Sequence, residues 1–304
     1  MSKITVNLDL IKLIAENNNF DFPKTPESKY LICGIRGAIL EDPNNTSFQT
    51  TQTLYLSDIN YTNPRCTILL LNLLDGQLAA YPASTVPHRR SIKASVLKNG
   101  LGTNCLMTGF YSDYRKGVHK PQSNTGHPAL RQTAPHPIRR SADDEDYDND
   151  DRIEYANPFD NIHGGWFQSI DAEYYSSAGC QVIMGYPGCK RPGREKSIGP
   201  WASFQKNIYE TTQDKFAYLL VSGREFLPLL ATPPVKTQKL KFGSKGTGVI
   251  DLQEKLAKKH FYEGKTDGDF GERTLKAVIN FQQSVFGKEG ADGVVGPMTL
   301  AELT

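Results

Sequence analysis

Two stretches near the C-terminus, Asp267-Gly268-Asp269-Phe270-Gly271-Glu272-Arg273-Thr274 and Asp292-Gly293-Val294-Val295-Gly296-Pro297-Met298-Thr299, are built alike. Each sets Asp-Gly ahead of an apolar residue, a glycine and a threonine that enters a helical pattern. Glycine tolerates the tight backbone such loops need, and Pro297 suits a first helical turn, where its missing N–H is not required. Around them Val249, Leu252 and Leu256 keep one helical face, and Leu275, Val278, Ile279 and Gln282 keep another, with Phe281 one step round. The spacing predicts a small helical bundle carrying two matched loops.

Leu240-Lys241-Phe242-Gly243-Ser244-Lys245-Gly246-Thr247-Gly248-Val249, Leu252-Gln253, Tyr262 through Gly271, and Ala277-Val278-Ile279-Asn280-Phe281-Gln282 together resemble the three-helix peptidoglycan-binding domain over residues 239–304. The resemblance implies affinity for cell-wall glycopeptide, with peptidoglycan as partner. Tethering of this kind raises the local substrate concentration for whatever is joined to it.

Upstream the texture differs. Leu10, Ile11, Ile14 and Ala15 have helical spacing within Leu8–Ala15. Tyr30 to Leu40, Leu54 to Ile59, Gln181 to Met184 and Phe216 to Val221 read as strands. Thr67 to Leu71 and Gln77 to Tyr81 flank Asp75-Gly76 and predict a hairpin. Residues 112–152 read as loop, and their acidic run Asp143-Asp144-Glu145-Asp146-Tyr147-Asp148 as a solvated stretch. Ala231 to Gln238, with Pro233-Pro234, reads as a linker. The expected architecture is α+β: a mainly-β domain over 1–230, a linker over 231–238 and a helical domain over 239–304.

A net charge of +2 is too small to point to nucleic acid. No apolar run approaches the length of a membrane span, and Asn7 and Asp9 interrupt the opening stretch where a signal peptide would be apolar. The expectation is a chain made in the cytoplasm that reaches the wall or periplasm by secretion or lysis.

Five cysteines at irregular spacing, with no CxxC pair, give no zinc or thioredoxin signature. Cys33, Cys66 and Cys105 lie in or beside apolar runs and read as core; Cys189, in a turn, is either idle or bridged. Cys180 differs. It follows Gly179 and precedes an apolar strand, which predicts a sulfur at a strand entrance with its backbone N–H accessible and room left by the glycine for a substrate carbonyl. Seventeen residues upstream, His163 precedes Gly164-Gly165, which predicts space around the imidazole. A thiol beside such a base is expected to ionise partly near neutral pH.

Asn161-Ile162-His163-Gly164-Gly165-Trp166 with Ser177-Ala178-Gly179-Cys180-Gln181-Val182-Ile183 resembles the L,D-transpeptidase (YkuD-type) catalytic domain. Asp75-Gly76 and Ala83-Ser84-Thr85 are loosely similar to its earlier strands, and that family often carries the same wall-binding module. The resemblance implies Cys180 as acylated nucleophile, His163 as base and the Gly164 carbonyl as orienter of the imidazole. It places Gly179 and Cys180 as oxyanion donors, with Ser177 and Gly165 at the substrate. Val182 stands where the family has Arg or Asn, and an insertion separates Tyr111 from Asn157. The reaction expected is cleavage of L,D bonds in stem peptides by water, as in a phage lysin or antibacterial effector. Cross-linking or D-amino-acid exchange is the enzymatic alternative. A non-catalytic wall binder docking to a phage particle or secretion apparatus is the alternative of another class, and an immunity protein is a further partner. No cofactor or metal is expected, because His119, His127 and His136 match no metallopeptidase spacing. Trp166 and Trp201 read as core aromatics.

Overall fold

The computed structural model describes residues 2–24, 28–99, 102–141, 147, 151–231 and 238–304. The acidic run, apart from Tyr147, and linker positions 232–237 lie outside the described residues. In chain order the elements are β1 (Lys3–Val6), α1 (Leu8–Asn17), β2 (Tyr30–Arg36), β3 (Ala38–Leu40), β4 (Gln52–Leu56), β5 (Cys66–Asn72), β6 (Leu78–Ser84), α2 (Arg89–Asn99) and β7 (Thr103–Leu106). There follow β8 (Gly109–His119), β9 (His127–Arg131), β10 (His136–Ser141), β11 (Arg152–Ala156), β12 (Ile162–Gly164), β13 (Gln181–Ile183), α3 (Pro200–Glu210) and β14 (Lys215–Ser222). A 3-10 helix (Gly223–Leu230) leads to α4 (Thr247–Lys258), α5 (Glu272–Phe286) and α6 (Pro297–Glu302). No helix among the described residues is long and apolar enough to cross a membrane.

The protein is a mixed α+β molecule whose strands close a barrel in the order β12-β13-β6-β5-β2-β14-β8-β9. Two three-stranded sheets, β1-β4-β3 and β11-β10-β7, flank it. β5 is a near-continuous apolar run because it is buried on both faces. Along β2, Leu31, Cys33 and Ile35 face one cluster with α1 and the 3-10 helix, while Tyr30 and Ile32 face another with Tyr81, Tyr218, Trp201 and Phe204. The predicted hairpin forms, pairing Leu69 with Ala80, and Gly76 takes φ +78.

The reading of 112–152 as loop is corrected. Most of its described residues are strand, and β8 pairs with β9 so that His119 sits opposite His127. Arg115-Lys116-Gly117-Val118 hides this from pattern reading, because its side chains are exposed or half-buried and mimic a polar loop. Trp201 is core, as expected, whereas half-buried Trp166 lines a cleft.

The C-terminal helices enclose Val249, Leu252, Leu256, Phe270, Val278 and Phe281. Their lead-in is stitched to the barrel side. Lys239 N–H donates to Asn17 O at 2.8 Å, Lys245 N–H to Asn19 O at 2.7 Å and Phe110 N–H to Phe242 O at 3.1 Å. Lys241 Nζ is buried against both carboxylate oxygens of Glu225, each at 2.9 Å.

Candidate functional site

β12 and β13 run parallel with His163 opposite Val182 and Ile162 opposite Gln181. Because side chains alternate along a strand, His163 and the residue just before β13, Cys180, come to the same face. One ring nitrogen each of His163 and His119 lies with Cys180 Sγ in a cluster whose atoms are all within 4.8 Å of one another. His119, His127 and His163 line a cleft of about 500 Å³ with Trp166, Tyr174 and Tyr186. Its cationic lining residues are Lys120, Arg191 and Arg194, and no carboxylate is among those that line it.

His163 Nδ1 lies 2.8 Å from Gly164 O, so the ring donates there and Nε2 keeps its lone pair. That Nε2 is buried and has no hydrogen-bond partner among the described residues. His119 stacks on the ring at 4.1 Å and His127 meets it edge-on at 5.1 Å. Burial, then the two neighbouring imidazoles, hold His163 well below its ordinary pKa. His119 is pushed down to about 3, by burial first.

The Cys180 thiol donates to Phe159 O at 3.6 Å. Burial, with buried Asp160 adding to it, pushes the thiol up to about 12. The expected partial ionisation at neutral pH is therefore corrected: the resting pair is a neutral thiol beside a neutral imidazole. Burial penalises both charged forms more than the partners compensate.

The glycines serve packing. A Cβ on Gly179 (φ +129) would meet Asn104 Nδ2 at 1.8 Å and Asp160 Oδ1 at 2.4 Å. One on Gly164 would meet Trp201 Cδ1 and Pro187 Cδ at 2.9 Å, and one on Gly165 would meet Phe167 Cε1 at 2.4 Å. The expectation that they leave open space for ring and substrate is corrected accordingly. The donor set changes as well. Gly179 N–H donates to Ser177 Oγ at 3.2 Å, Ser177 Oγ–H to Cys180 O at 2.7 Å and Gly165 N–H to Ile183 O at 2.7 Å. These three groups staple the loop, so none of them is free for an oxyanion. Cys180 N–H donates to no other residue among those described.

All five cysteines are free, Cys189 included, and Cys33, Cys66 and Cys105 are buried as expected. His136 lies away from the cluster, bonded to Asp113 at 2.7 Å. Sequence reasoning weighed His119 and His127 only as metal ligands and set them aside, and it missed Asp160. The signal for the first two was their symmetric placement around the turn-rich Lys120-Pro121-Gln122-Ser123-Asn124-Thr125-Gly126. As a metal cluster, His119, His163 and Cys180 have suitable proximity. Asn161 Nδ2, at 3.0 Å, occupies the Nδ1 lone pair of His119, which leaves two ligating groups where zinc sites use three or four.

Residues 245–303 match the family model of a peptidoglycan binding domain, and this part of the chain is such a domain. Two curated relatives are similar to the chain. The spore cortex-lytic enzyme of Bacillus subtilis (strain 168) is 42% identical over 62 residues, 20% of this chain and 20% of the relative. The spore cortex-lytic enzyme of Halalkalibacterium halodurans is 44% identical over 66 residues, 22% of this chain and 19% of the relative. The chain thus spans about a fifth of the length of these relatives. No solved structure matches it significantly.

Proposed function

We propose that the chain is a peptidoglycan hydrolase in which an L,D-transpeptidase-like barrel uses Cys180 to cleave L,D bonds of stem peptides at the wall, outside the cytoplasm. The observation that carries this reading is the approach of a ring nitrogen of His163, which lines the cleft, to within 4.8 Å of Cys180 Sγ. The Gly164 carbonyl on His163 Nδ1 is the orientation that the resemblance implies for the base. The wall-binding domain and its similarity to two spore cortex-lytic enzymes agree with a lytic role. Lys120, Arg191 and Arg194 suit a substrate bearing free carboxylates, as stem peptides do.

The thiol turns from Phe159 to His163 Nε2 as sulfur attacks the scissile carbonyl. The imidazole takes the proton and returns it to the leaving amine, and a thioester remains on Cys180. Water, activated by His163, then releases the acyl group. Val182, in the position where the resemblance would put Arg or Asn, favours water over an amine acceptor.

The test is mass spectrometry of purified peptidoglycan after incubation with the full chain and with Cys180→Ala. Loss of terminal residues or of cross-links with the wild type, and no change with the variant, is the expected outcome. New cross-links would indicate transfer instead. An unaltered profile with the wild type would leave a binding protein only, and full activity in Cys180→Ala would remove the nucleophile.

A further inference from the structure

The two stacked imidazoles are held in opposite tautomers. Gly164 O only accepts, so the proton of neutral His163 is on Nδ1. His127 agrees with this: its Nδ1 donates to Thr125 O at 2.7 Å, and its Nε2 lone pair faces His163 Nδ1 at 3.3 Å. His119 is the reverse case. Its Nδ1 lies 3.0 Å from Asn161 Nδ2, and the amide cannot be turned round because Asn161 Oδ1 accepts from Gln132 N–H at 3.1 Å. Asn161 therefore donates to His119 Nδ1, and the remaining ring proton of His119 sits on Nε2.

We propose that His119 is a third catalytic residue, an Nε2–H donor to the oxyanion formed when Cys180 attacks, while His163 serves as the base. Three observations carry it. His119 lies in the same cluster as Cys180 Sγ and lines the cleft. Its tautomer is fixed as a donor by Asn161. The other donor named for the oxyanion, Gly179 N–H, is committed to Ser177 Oγ, and Gly165 N–H, expected at the substrate, is committed to Ile183 O, which leaves Cys180 N–H in need of a second donor. A preorganised donor that meets developing charge costs no reorganisation at the moment of reaction and is worth more than the same bond made in water.

The steps balance without His119 losing its proton. Attack forms the S–C bond and moves the carbonyl π pair onto oxygen, while the thiol proton passes to His163 Nε2. The oxyanion accepts from Cys180 N–H and His119 Nε2–H. Collapse restores the carbonyl, breaks the C–N bond and sends the proton from His163 to the leaving amine. Asn161 is a positioning residue, acting through His119.

The proposal rests on the cysteine-hydrolase reading, and its test separates the two. Full-length wild type, His119→Ala, His119→Gln and Cys180→Ala are compared on soluble stem-peptide fragments, with kcat and KM resolved and Cys180 alkylation by iodoacetamide followed in parallel. His119→Ala should lower kcat by about 10²–10³-fold, the usual loss for one oxyanion donor. KM and the alkylation rate should stay near wild type, and Gln, which keeps an N–H, should recover part of the loss. Unchanged kcat in His119→Ala would overturn the proposal, as would an equal fall in alkylation, which would place His119 on the thiol. Nitrogen-15 NMR of the wild type gives a reading independent of any variant: a neutral His119 protonated on Nε2 supports the assignment and one protonated on Nδ1 overturns it. Full turnover by Cys180→Ala would instead defeat the underlying reading.

Discussion

His119 lies nearly flat against His163, with ring centroids 4.1 Å apart and planes 19° from parallel. Two positive rings at that separation would repel by about 4 kcal/mol at an effective dielectric of 20. Burial already disfavours either charge, so both rings stay neutral well into acid.

The pH dependence of turnover follows from this. The proposed base, His163, accepts a proton only when neutral, and its pKa lies well below the ordinary value, so activity is expected to persist as pH falls through 6.5 and to be lost only below it. The thiol stays protonated up to about 12. We expect kcat/KM on soluble wall fragments to be flat from pH ~6 to ~9, with the acid limb below that range. An inflection between pH 6 and 7 would contradict a buried neutral base.

Asp160 gives a pH-dependent stability. Burial pushes its carboxyl up to about 7, against the hydrogen bond from Asn104 Nδ2, and its Oδ2 has no partner among the described residues. The folded pKa is raised, so its stabilising contribution is fully present below the unfolded value near 4 and falls as pH rises to about 7. A shift of about three units corresponds to roughly 4 kcal/mol as an upper figure. Urea denaturation of the wild type should lose stability over that window, and Asp160→Asn should lose distinctly less. Equal slopes for the two proteins would mean that Asp160 is ionised in the folded state.

The C-terminal domain was legible because glycines, glutamines and apolar residues recur at fixed offsets, and local offsets survive in one dimension. Cys180 and His163 could be named for the same reason: each has glycine beside it and an apolar strand near it. What the glycines do was not legible, since Trp201, Pro187 and Phe167 reach Gly164 and Gly165 from positions up to thirty-seven residues away in the chain. His119 and His127 were hidden by the polar face of β8 and by a register that only pairing reveals. Neutrality of the thiol was also out of reach, because it depends on burial and on Asp160 and not on the identity of the adjacent base.

The Lys241–Glu225 pair predicts a large cost for a single truncation. Glu225 also receives Asn18 Nδ2 at 3.1 Å, so one carboxylate ties the 3-10 helix, the end of α1 and the lead-in to the wall-binding domain. Glu225→Ala leaves a buried ammonium unpaired, which typically costs 3–5 kcal/mol, roughly. Chemical denaturation should show that loss, whereas replacing exposed Lys3, paired to Glu41 in solvent, should leave the unfolding midpoint close to wild type. A Glu225→Ala protein as stable as wild type would mean that water reaches Lys241.

Gln253 and Gln282 explain why the two C-terminal loops match, and they yield the sharpest stability test. Gln253 Oε1 accepts from Gly268 N–H at 3.0 Å while its Nε2 reaches Asp267 Oδ1 at 2.9 Å and Thr274 Oγ1 at 3.0 Å. Gln282 repeats this on Gly293 N–H, Asp292 Oδ1 and Thr299 Oγ1 at 2.9, 3.0 and 3.2 Å. Each glutamine is buried and answers the loop glycine, aspartate and threonine at once, so the repeat in sequence is a repeat of one clamp. Removing either leaves a buried N–H unmet, at about 1–3 kcal/mol, in addition to the cavity. A domain of about 60 residues has little stability to spare. Gln253→Ala and Gln282→Ala should therefore each weaken sacculus pull-down and lower the unfolding midpoint of the C-terminal domain. Turnover on small soluble fragments should change little, because the cleft lies on the barrel. Wild-type pull-down by both variants, with an unchanged midpoint, would show that the loops hold their shape without the clamp.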